Sequence, residues 1–469
     1  MKIYFDLKEA EMSETYDLIV IGGGPAGYSA AIEGAGLGAK VALIESDSLG
    51  GTCLNRGCIP VKTFLESTKI IKRFNDAEQY GINYSSLPSL NMENLVNRKN
   101  EVISKLGNGL ESMLKNLKID IIKGNGRIVS QNEISAEGIN NQRLTAKRII
   151  IATGSSESML RVKGHKHICI SSEALDLKEI PRSICIIGGG VVGAEFASFY
   201  SGAGSNVYIL EAKSHILNTE DKEIADRFVK IIKRNGVVIY EDSLIKSVES
   251  NGKDYIVMYE HQGKLKSLSV DMVLNAAGRI PNTKGIGIEN CGIKCDANGY
   301  ICVDKDFKTN IHSIYAAGDV IGLPLLAHAA FDEGIAAAKN ALNKNVLPPR
   351  IKTIPRCIFT SPEIASAGLT EEQANGRGIK IKKGYYSFSS NGKALISGNT
   401  DGIVKIIVDS DLMQVIGVHI LGEAATEIIG SAVYAIDGEF TSEELSESIL
   451  PHPTISEVIK EAAKNIMKQ

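Results

Sequence analysis

The sequence lacks the long apolar runs and the charge excess that mark two common classes of protein. No apolar stretch of the 469-residue chain reaches about 18 residues, so a transmembrane helix is not expected. The formal net charge is −3, which gives no reason to expect binding to nucleic acid or to a membrane surface. Hydrophobic residues make up 43% of the chain and charged residues 23%, which is typical of an ordinary globular protein. The length indicates about three domains.

We expect neither a targeting segment nor a metal site from this sequence. Acidic residues are scattered through Met1–Tyr16, which argues against a secretory or transit peptide and favours a cytoplasmic protein. Apart from Cys53 and Cys58, the eight cysteines lack the paired spacings and nearby histidines of a zinc site. Cys291 and Cys295 form the other close pair, for which ordinary thiols are favoured over a metal site. No bound metal is therefore expected.

The stretch GGTCLNRGCIPVK, residues 50–62, places two cysteines at the expected start of a helix. In a straight helix Cys53 and Cys58 would point about 140° apart and lie roughly 7.5 Å apart along the axis. A disulfide needs Cα atoms about 4.4–6.8 Å apart, so a bond between them requires a distorted turn. Gly57 and Pro60 are residues that could supply it. A strained, accessible disulfide is easily reduced, and in a reducing cytosol it would be catalytic.

A glycine-rich turn between two strands predicts a dinucleotide site near the start of the chain. The expected elements are two apolar strands around a small-residue helix, at 16–21, 28–37 and 41–44. Gly22, Gly24 and Gly27 follow the first strand in GxGxxG register, and Glu45 ends the second strand. Such glycines let a pyrophosphate approach the helix closely, and the acid can accept hydrogen bonds from ribose hydroxyls.

The same unit occurs a second time further along the chain. Gly188, Gly190 and Gly193 again follow an apolar run, and a second apolar run leads to Glu211. The spacing from first glycine to acid is 23 positions in both copies, which are offset by 166. Two such units predict two dinucleotide sites. A carboxylate at the second site favours the free ribose 2′-hydroxyl of NAD and repels the 2′-phosphate of NADP.

The cysteine stretch resembles the active-disulfide motif of the flavoprotein disulfide reductases, which are the class I flavoprotein pyridine nucleotide-disulfide oxidoreductases. Their motif reads GGTCLNxGCxPSK, and Val61 stands here where the family usually has serine. The resemblance extends over nearly the whole chain. It implies that the first dinucleotide site holds FAD and that the second holds NAD. It also implies a redox-active disulfide, in which Cys53 is the interchange thiol and Cys58 lies against the flavin.

The resemblance also implies roles for further residues. Lys62 matches a lysine beside the flavin N5 that pairs with a glutamate, here Glu195; taken alone, both would be solvated helix residues. Asp319 matches an aspartate that accepts a hydrogen bond from the flavin ribityl chain. The other positions that match cofactor-binding motifs are Thr52, Gly126 in an expected turn at 124–127, Thr153, Gly154, Ser155, Gly278 and Ala327.

The stretch LPHPTISE near the end of the chain resembles the family's HPTxxE signature. His452 would act as a base that Glu457 holds in one tautomer, although a lone histidine is more often structural. Many members of the dihydrolipoamide-oxidising branch carry a further histidine where Leu450 stands here. In the family this base reaches the active site of the other subunit, which implies a homodimer.

The expected fold is α/β, with two Rossmann-like dinucleotide-binding domains for FAD and NAD and a C-terminal α+β dimerisation domain. The expected segments are 1–153 and 280–348 for FAD, 154–279 for NAD and 349–469 for dimerisation, with a linker at 348–350. The resemblance implies NAD-dependent oxidation of protein-bound dihydrolipoamide to lipoamide, within a 2-oxoacid dehydrogenase or glycine cleavage complex. A lipoyl-carrying protein is the expected partner.

Two other functions fit parts of the same pattern. An NADPH-dependent reductase of a small glutathione-type disulfide is disfavoured by Glu211. A non-catalytic flavin-binding subunit of a larger complex would need neither the cysteine pair nor the histidine base. Family members with a redox-active C-terminal tail are disfavoured because no cysteine follows Cys357.

Overall fold

The computed structural model describes residues 15–138, 141–322, 324–343 and 353–468. The linker expected at 348–350 lies outside the described residues. The chain divides into two compact units, of which the first comprises Met1–Ile59, Glu101–Ser156 and Arg279–Arg350 and the second comprises Pro60–Asn100, Glu157–Gly278 and Ile351–Gln469. The finer division into four segments stays a prediction.

The helices and strands follow in chain order. The first third contains β1 (Thr15–Ile21), α1 (Pro25–Gly36), β2 (Val41–Glu45), α2 (Gly51–Arg56), α3 (Cys58–Asn75), α4 (Met92–Asn116), β3 (Asp120–Lys123), β4 (Asn125–Ser130), β5 (Glu133–Glu137), β6 (Gln142–Ile151) and β7 (Ser155–Glu157). The middle contains α5 (Ser171–Ala174), β8 (Ser183–Ile187), α6 (Val191–Gly202), β9 (Asn206–Leu210), α7 (Lys222–Arg234), β10 (Val238–Tyr240), β11 (Ser243–Ser250), β12 (Tyr255–His261), β13 (Lys264–Val270), β14 (Met272–Asn275), β15 (Arg279–Pro281), β16 (Ile314–Ala316) and α8 (Ala327–Ala341). The last part contains β17 (Arg356–Ile358), β18 (Glu363–Gly368), α9 (Glu371–Gly376), β19 (Ile381–Ser387), α10 (Gly392–Ile396), β20 (Ile403–Asp409), β21 (Val415–Gly422), α11 (Ala425–Asp437), α12 (Ser442–Glu447) and α13 (Glu457–Met467).

The first unit is built on a sheet with the strand order β3-β2-β1-β6-β5-β4, in which β16 also pairs with β6. The pairs β1–β2, β1–β6, β2–β3 and β6–β16 are parallel, whereas β4, β5 and β6 form an antiparallel ladder. The parallel strands read as continuous apolar runs because both faces of this sheet are covered by packed side chains. Their carboxyl ends meet at one edge of the sheet, which brings the glycine turn and Glu45 together.

The second unit contains a parallel sheet with the order β10-β9-β8-β14 and an antiparallel sheet with the order β11-β12-β13. Its C-terminal part forms an antiparallel sheet with the order β17-β18-β21-β20-β19, whose apolar core is completed by α11 and α13. Each glycine turn lies at the end of a parallel strand, β1 in a mixed sheet and β8 in a parallel sheet, and the C-terminal region is α+β. These features confirm the expected fold class. Within the described residues, no helix is both long and apolar enough to cross a membrane.

The prediction of a turn at 124–127 is wrong for most of these residues. A bend occurs at Gly124, but Gly126 lies inside β4 and pairs with Ala136 of the neighbouring strand. A Cβ at Gly126 would lie 2.7 Å from the Cγ2 of Ile21, closer than real Cβ atoms approach. The glycine therefore lets the β4–β5 hairpin pack directly on β1. Gly126 is in a strand because β4 pairs with β5, which lies outside the GNGR stretch. The four residues GNGR alone therefore could not distinguish a strand from a turn.

Candidate active site

The two cysteines of the motif flank a break between two helices. Cys53 is the third residue of α2, which ends at Arg56, and Cys58 is the first residue of α3. Gly57 stands between the helices with φ −128° and ψ −109°. A Cβ there would lie 2.9 Å from the carbonyl oxygen of Thr52, so the close approach requires glycine. Cys53 is half-buried and Cys58 is exposed. The helix is thus distorted at the place where a Cys53–Cys58 bond would need it.

The first glycine turn has a backbone that excludes side chains. Gly22 has φ +103°, and a Cβ on it would lie 2.3 Å from the carbonyl oxygen of Ala152. A Cβ on Gly27 would lie 1.8 Å from the carbonyl oxygen of Gly22. Gly24 differs, because a Cβ there would meet only the Cα of Gly51, at 3.8 Å. Open space over the N-terminus of α1 fits the pyrophosphate of a dinucleotide.

The second glycine turn repeats this geometry. Gly188 has φ +108°, and a Cβ on it would lie 2.3 Å from the carbonyl oxygen of Ala276. A Cβ on Gly193 would lie 2.0 Å from the carbonyl oxygen of Gly188, whereas a Cβ on Gly190 would meet nothing within 4 Å. The internal repeat that the sequence predicts is therefore reproduced at the level of single backbone atoms. This turn also fits a dinucleotide pyrophosphate.

The acid after each turn is held in the same way. The backbone N–H of Gly23 donates to Oε2 of Glu45 at 2.6 Å, and that of Gly189 donates to Oε2 of Glu211 at 2.6 Å. The other oxygen accepts from the N–H two residues further on, at 2.7 and 2.8 Å respectively. Each carboxylate oxygen keeps a further lone pair. Both acids can therefore also accept hydrogen bonds from a ribose.

A hydrogen-bonded group forms around the expected flavin aspartate. Ser155 Oγ donates to Asp319 Oδ2 at 2.5 Å, and Arg279 Nε donates to Ser155 Oγ at 2.6 Å. The guanidinium of Arg279 also lies 3.8 Å from Asp319.

A buried acid lies close to this group. The N–H of Gly318 donates to Glu333 at 2.8 Å, and burial raises the pKa of Glu333 to about 7. The sequence predictions assign no role to Arg279 or Glu333. Arg279 directly follows the predicted cofactor residue Gly278 in the stretch AAGRIPN, residues 276–282, which is the available signal for the arginine.

The other expected cofactor residues lie at turns and helix starts. Thr153 Oγ1 donates to the carbonyl oxygen of Asn282 at 2.8 Å. Gly154 and Gly278 have φ +69° and +116°, and a Cβ on either would meet nothing within 4 Å. Ala327 is the first residue of α8. The roles of these residues toward FAD and NAD stay predictions.

Lys62 of α3 and Glu195 of α6 form the expected ion pair. The Nζ of Lys62 lies 2.7 Å from both carboxylate oxygens of Glu195, whose side chain is only 5% exposed. Phe359, which the sequence predictions miss, touches both partners. Its backbone N–H donates to Glu195 Oε1 at 3.0 Å, and its ring lies 4.8 Å from the Nζ of Lys62. No local signal marks this residue, because its contacts lie 164 positions or more away in the chain.

His452 and Glu457 form the expected acid–base pair. His452 Nδ1 lies 3.0 Å from Glu457 Oε1, and the N–H of Thr454 donates to Glu457 Oε2 at 2.9 Å. The Thr454 N–H, followed by the histidine, lowers the pKa of Glu457, so the acid is ionised. The side chain of His452 is 76% exposed. Because Nδ1 faces the carboxylate, Nε2 is the nitrogen that can accept a proton.

Within the described residues, no group of three or more histidine, cysteine, aspartate or glutamate side chains could hold a metal ion. The groups described above that are capable of chemistry are a cysteine pair, two glycine turns with their acids, a lysine–glutamate pair and a histidine–glutamate pair.

These features define a class of redox enzyme that binds two dinucleotides. Residues 16–334 match the pyridine nucleotide-disulphide oxidoreductase family, and residues 354–463 match the dimerisation domain of that family. The chain belongs to this family. It is an oxidoreductase, and its cofactors are FAD and NAD. The dimerisation-domain match supports the expected homodimer.

Comparison with individual proteins shows which members of the family the chain is similar to. It is 40% identical to a dihydrolipoyl dehydrogenase of Bacillus subtilis (strain 168), over 96% of this chain and 98% of that protein. It is 37% identical to the dihydrolipoyl dehydrogenase of Zymomonas mobilis, with 96% and 98% covered. A solved structure of the HOCl-induced flavoprotein disulfide reductase from Escherichia coli, in its Cu(II) complex, matches with a TM-score of 0.87 and 30% identity, covering 96% of this chain and 99% of that one.

Proposed function

We propose that this protein oxidises dihydrolipoamide to lipoamide with NAD, through a disulfide between Cys53 and Cys58. Its similarity to dihydrolipoyl dehydrogenases over 96% of the chain supports this substrate. The observation that carries the proposal is the His452–Glu457 pair, with its 3.0 Å hydrogen bond. Oxidation of a dithiol begins with removal of a proton from sulfur, and this pair is a base suited to that task.

The thiol chemistry divides into two displacements. His452 Nε2 takes the proton of one substrate thiol, and the resulting thiolate attacks the sulfur of Cys53. The bond between Cys53 and Cys58 breaks, and its electron pair stays on Cys58. His452 releases the first proton to solvent and then takes the proton of the second substrate thiol, whose sulfur displaces Cys53 as a thiolate from the mixed disulfide. Lipoamide leaves with its own disulfide, and the cysteine pair holds the two electrons that the substrate has lost.

The chain also binds and orients the cofactors. When bound, FAD supplies the route by which these two electrons reach NAD as hydride. The turn at Gly22–Gly27 would hold the FAD pyrophosphate, with Glu45 on the ribose. The Lys62–Glu195 pair would place a positive charge beside the flavin, and its 5% exposed carboxylate fixes the position of that charge. The group of Ser155, Arg279 and Asp319 would accept from and donate to the ribityl hydroxyls.

The preference for NAD rests on Glu211. Backbone N–H groups bind both of its oxygens, so its negative charge stays at the end of β9 where the adenosine ribose is expected. A 2′-phosphate at that place would be repelled. NADP is therefore the poorer coenzyme.

The partners follow from the same assignment. The substrate dithiol would be carried on a lipoyl-bearing protein of a 2-oxoacid dehydrogenase or glycine cleavage complex, which fits the expected cytoplasmic location. In the expected homodimer, His452 of each subunit would act on the disulfide of the other subunit. Its 76% exposed side chain is consistent with a base that is completed by another surface.

The test is the absorbance at 340 nm of the flavin-loaded protein with dihydrolipoamide and either NAD or NADP. Rapid NADH formation with little NADPH formation is the expected result. Absence of turnover with dihydrolipoamide, together with NADPH oxidation by a glutathione-type disulfide, would instead establish the alternative reductase. A Cys58→Ser variant that folds and binds FAD should lose dithiol oxidation, whereas a non-catalytic flavin subunit would show no activity to lose.

A further inference from the structure

The short segment after β17, residues 359–361, lies against the helix that carries Glu195. The backbone N–H of Phe359 donates to Glu195 Oε1 at 3.0 Å, and the backbone N–H of Ser361 donates to the hydroxyl oxygen of Ser198 at 2.9 Å. Both acceptors lie on α6, one turn apart. The C-terminal region thus supplies a direct hydrogen bond to a carboxylate of the candidate active site.

The aromatic ring of Phe359 acts on the other member of the ion pair. Two oxygens of Glu195 lie 2.7 Å from the Nζ of Lys62, and the ring centroid lies 4.8 Å from the same nitrogen. An ammonium within about 6 Å of an aromatic face is attracted to it. The ring therefore adds a second attraction on the ammonium beside that of the carboxylate.

The pair needs such support because its carboxylate is almost fully buried. The side chain of Glu195 is 5% exposed, whereas that of Lys62 is 27% exposed. A buried charge is tolerated only when it is paired and hydrogen-bonded. The backbone N–H of Phe359 donates to this carboxylate, and the ring of the same residue lies 4.8 Å from the ammonium of Lys62. One residue therefore restrains both members of the pair.

We propose that Phe359 is a positioning residue that fixes the Lys62–Glu195 pair through its backbone N–H and its ring. The significance of this role for catalysis rests on the proposed function, in which the pair places a charge beside the flavin. The positioning itself is a property of this chain and can be measured without turnover.

If Phe359 had a purely structural role, its replacement would affect the whole surrounding region and not the ion pair alone. The same region is anchored by Arg356 to Glu220 at 2.9 Å and by Glu363 to Lys69 at 2.6 Å. If the ring of Phe359 only filled space, its loss would loosen this whole region. The Lys69 side chain is 30% exposed and lies on the same helix as Lys62, so it is a matched internal reference.

The experiment is competitive acetylation of the flavin-loaded protein, with modification of Lys62 and Lys69 measured by mass spectrometry. Phe359→Leu and Phe359→Met keep an apolar side chain and the backbone N–H but remove the ring. Phe359→Tyr restores the ring. Ser198→Ala is the control, because it removes a hydrogen bond of the same segment without touching the ion pair.

We expect the Lys62-to-Lys69 acetylation ratio to rise about two- to fivefold in the leucine and methionine variants, the range that a lost cation–π contact implies. The tyrosine and Ser198→Ala variants should keep the ratio of the unaltered protein. An unchanged Lys62-to-Lys69 ratio in both ring-less variants would overturn the proposal, whether acetylation of the two lysines stays constant or rises equally at both. Failure of dihydrolipoamide oxidation in the unaltered protein would refute the proposed function but would leave this ratio unaffected. Where oxidation occurs, kcat should fall severalfold in the ring-less variants while KM for the dithiol stays constant.

Discussion

The backbone N–H of Gly189 donates to Oε2 of Glu211 at 2.6 Å, so the second residue of a glycine turn holds the acid at the end of the next strand. Gly23 and Glu45 repeat this bond at 2.6 Å in the first dinucleotide unit. The bond fixes the carboxylate on the same edge of the sheet as the turn. A single backbone geometry therefore provides, in both units, the open turn proposed for the pyrophosphate and the acid proposed for the ribose.

Replacing Glu211 by glutamine should weaken discrimination between coenzymes. The amide keeps an acceptor oxygen for the N–H of Gly189 but removes the negative charge that, in the proposed NAD site, would repel a 2′-phosphate. We expect the ratio of kcat/KM with NADP to kcat/KM with NAD to rise about tenfold, which corresponds to ~1.4 kcal/mol. Steady-state kinetics at 340 nm with both coenzymes measure it. Glu241→Gln, which changes an acid hydrogen-bonded to Ile216 N at 3.3 Å, is the control. An unaltered ratio in the Glu211 variant would contradict the role of its charge.

Replacing His452 by alanine should abolish dithiol oxidation selectively. Without the base, the substrate thiol must deprotonate unaided, and kcat/KM for dihydrolipoamide should fall about 10²–10⁴-fold. Glu457→Gln should cause a smaller loss, because the histidine remains but its Nδ1 loses an ionised partner at 3.0 Å. The control reaction is NADH oxidation by ferricyanide, which needs no thiol base and should persist in both variants. Equal losses in both reactions would show that the pair is structural.

The sequence alone predicts those parts of the candidate site whose residues lie close together in the chain. The glycine turns and their acids could be found because each turn, helix and strand is contiguous in the chain. The His452–Glu457 pair is equally local, since five positions separate the two residues. By contrast, Phe359 donates a backbone N–H to a residue 164 positions away, and a backbone donor has no sequence signature. The turn predicted around Gly126 is wrong because the pairing of β4 depends on a second strand, β5.

Lys405 illustrates the same limit within a strand. It stands in the apolar run IVKIIVD of β20, which contains no acid within hydrogen-bonding reach of it, yet its side chain is only 1% exposed. The reason is a set of distant acids, since its Nζ lies 2.9 Å from Asp221 and 2.7 Å from Glu371. Tertiary partners, rather than strand periodicity, thus determine where this lysine lies.

Replacing Lys405 by methionine should strongly destabilise the second unit. The substitution leaves the carboxylate of Asp221, only 2% exposed, without its cation. Breaking a buried ion pair from one side costs about 3–5 kcal/mol of the free energy of unfolding. Lys222→Met is the matched control, because it breaks an exposed pair with Asp226 on α7, where about 0.5 kcal/mol or less is expected. Urea unfolding followed by circular dichroism compares the two variants. Similar losses in both would show that burial of the Lys405 pair adds nothing.

Stability should also depend on pH through His419. Its side chain is 1% exposed, and its Nε2 lies 2.9 Å from the carbonyl oxygen of Leu369. Burial lowers the pKa of His419 and outweighs the carboxylate of Asp221, which acts in the opposite direction. The neutral imidazole is therefore the folded form. The unfolded chain, in which a histidine titrates near about 6.5, binds the proton more readily.

It follows that His419 contributes stability above about pH 6.5 and that this contribution is lost as the pH falls below that value. The slope of the unfolding free energy attributable to one such proton is at most about 1.4 kcal/mol per pH unit. Urea unfolding at pH 5.5, 6.5 and 7.5 should show this slope, and His419→Gln should reduce it. His165→Gln, which changes an exposed histidine, should leave the slope unaltered. If His419→Gln retained the full slope, other groups would have to account for the loss of stability in acid.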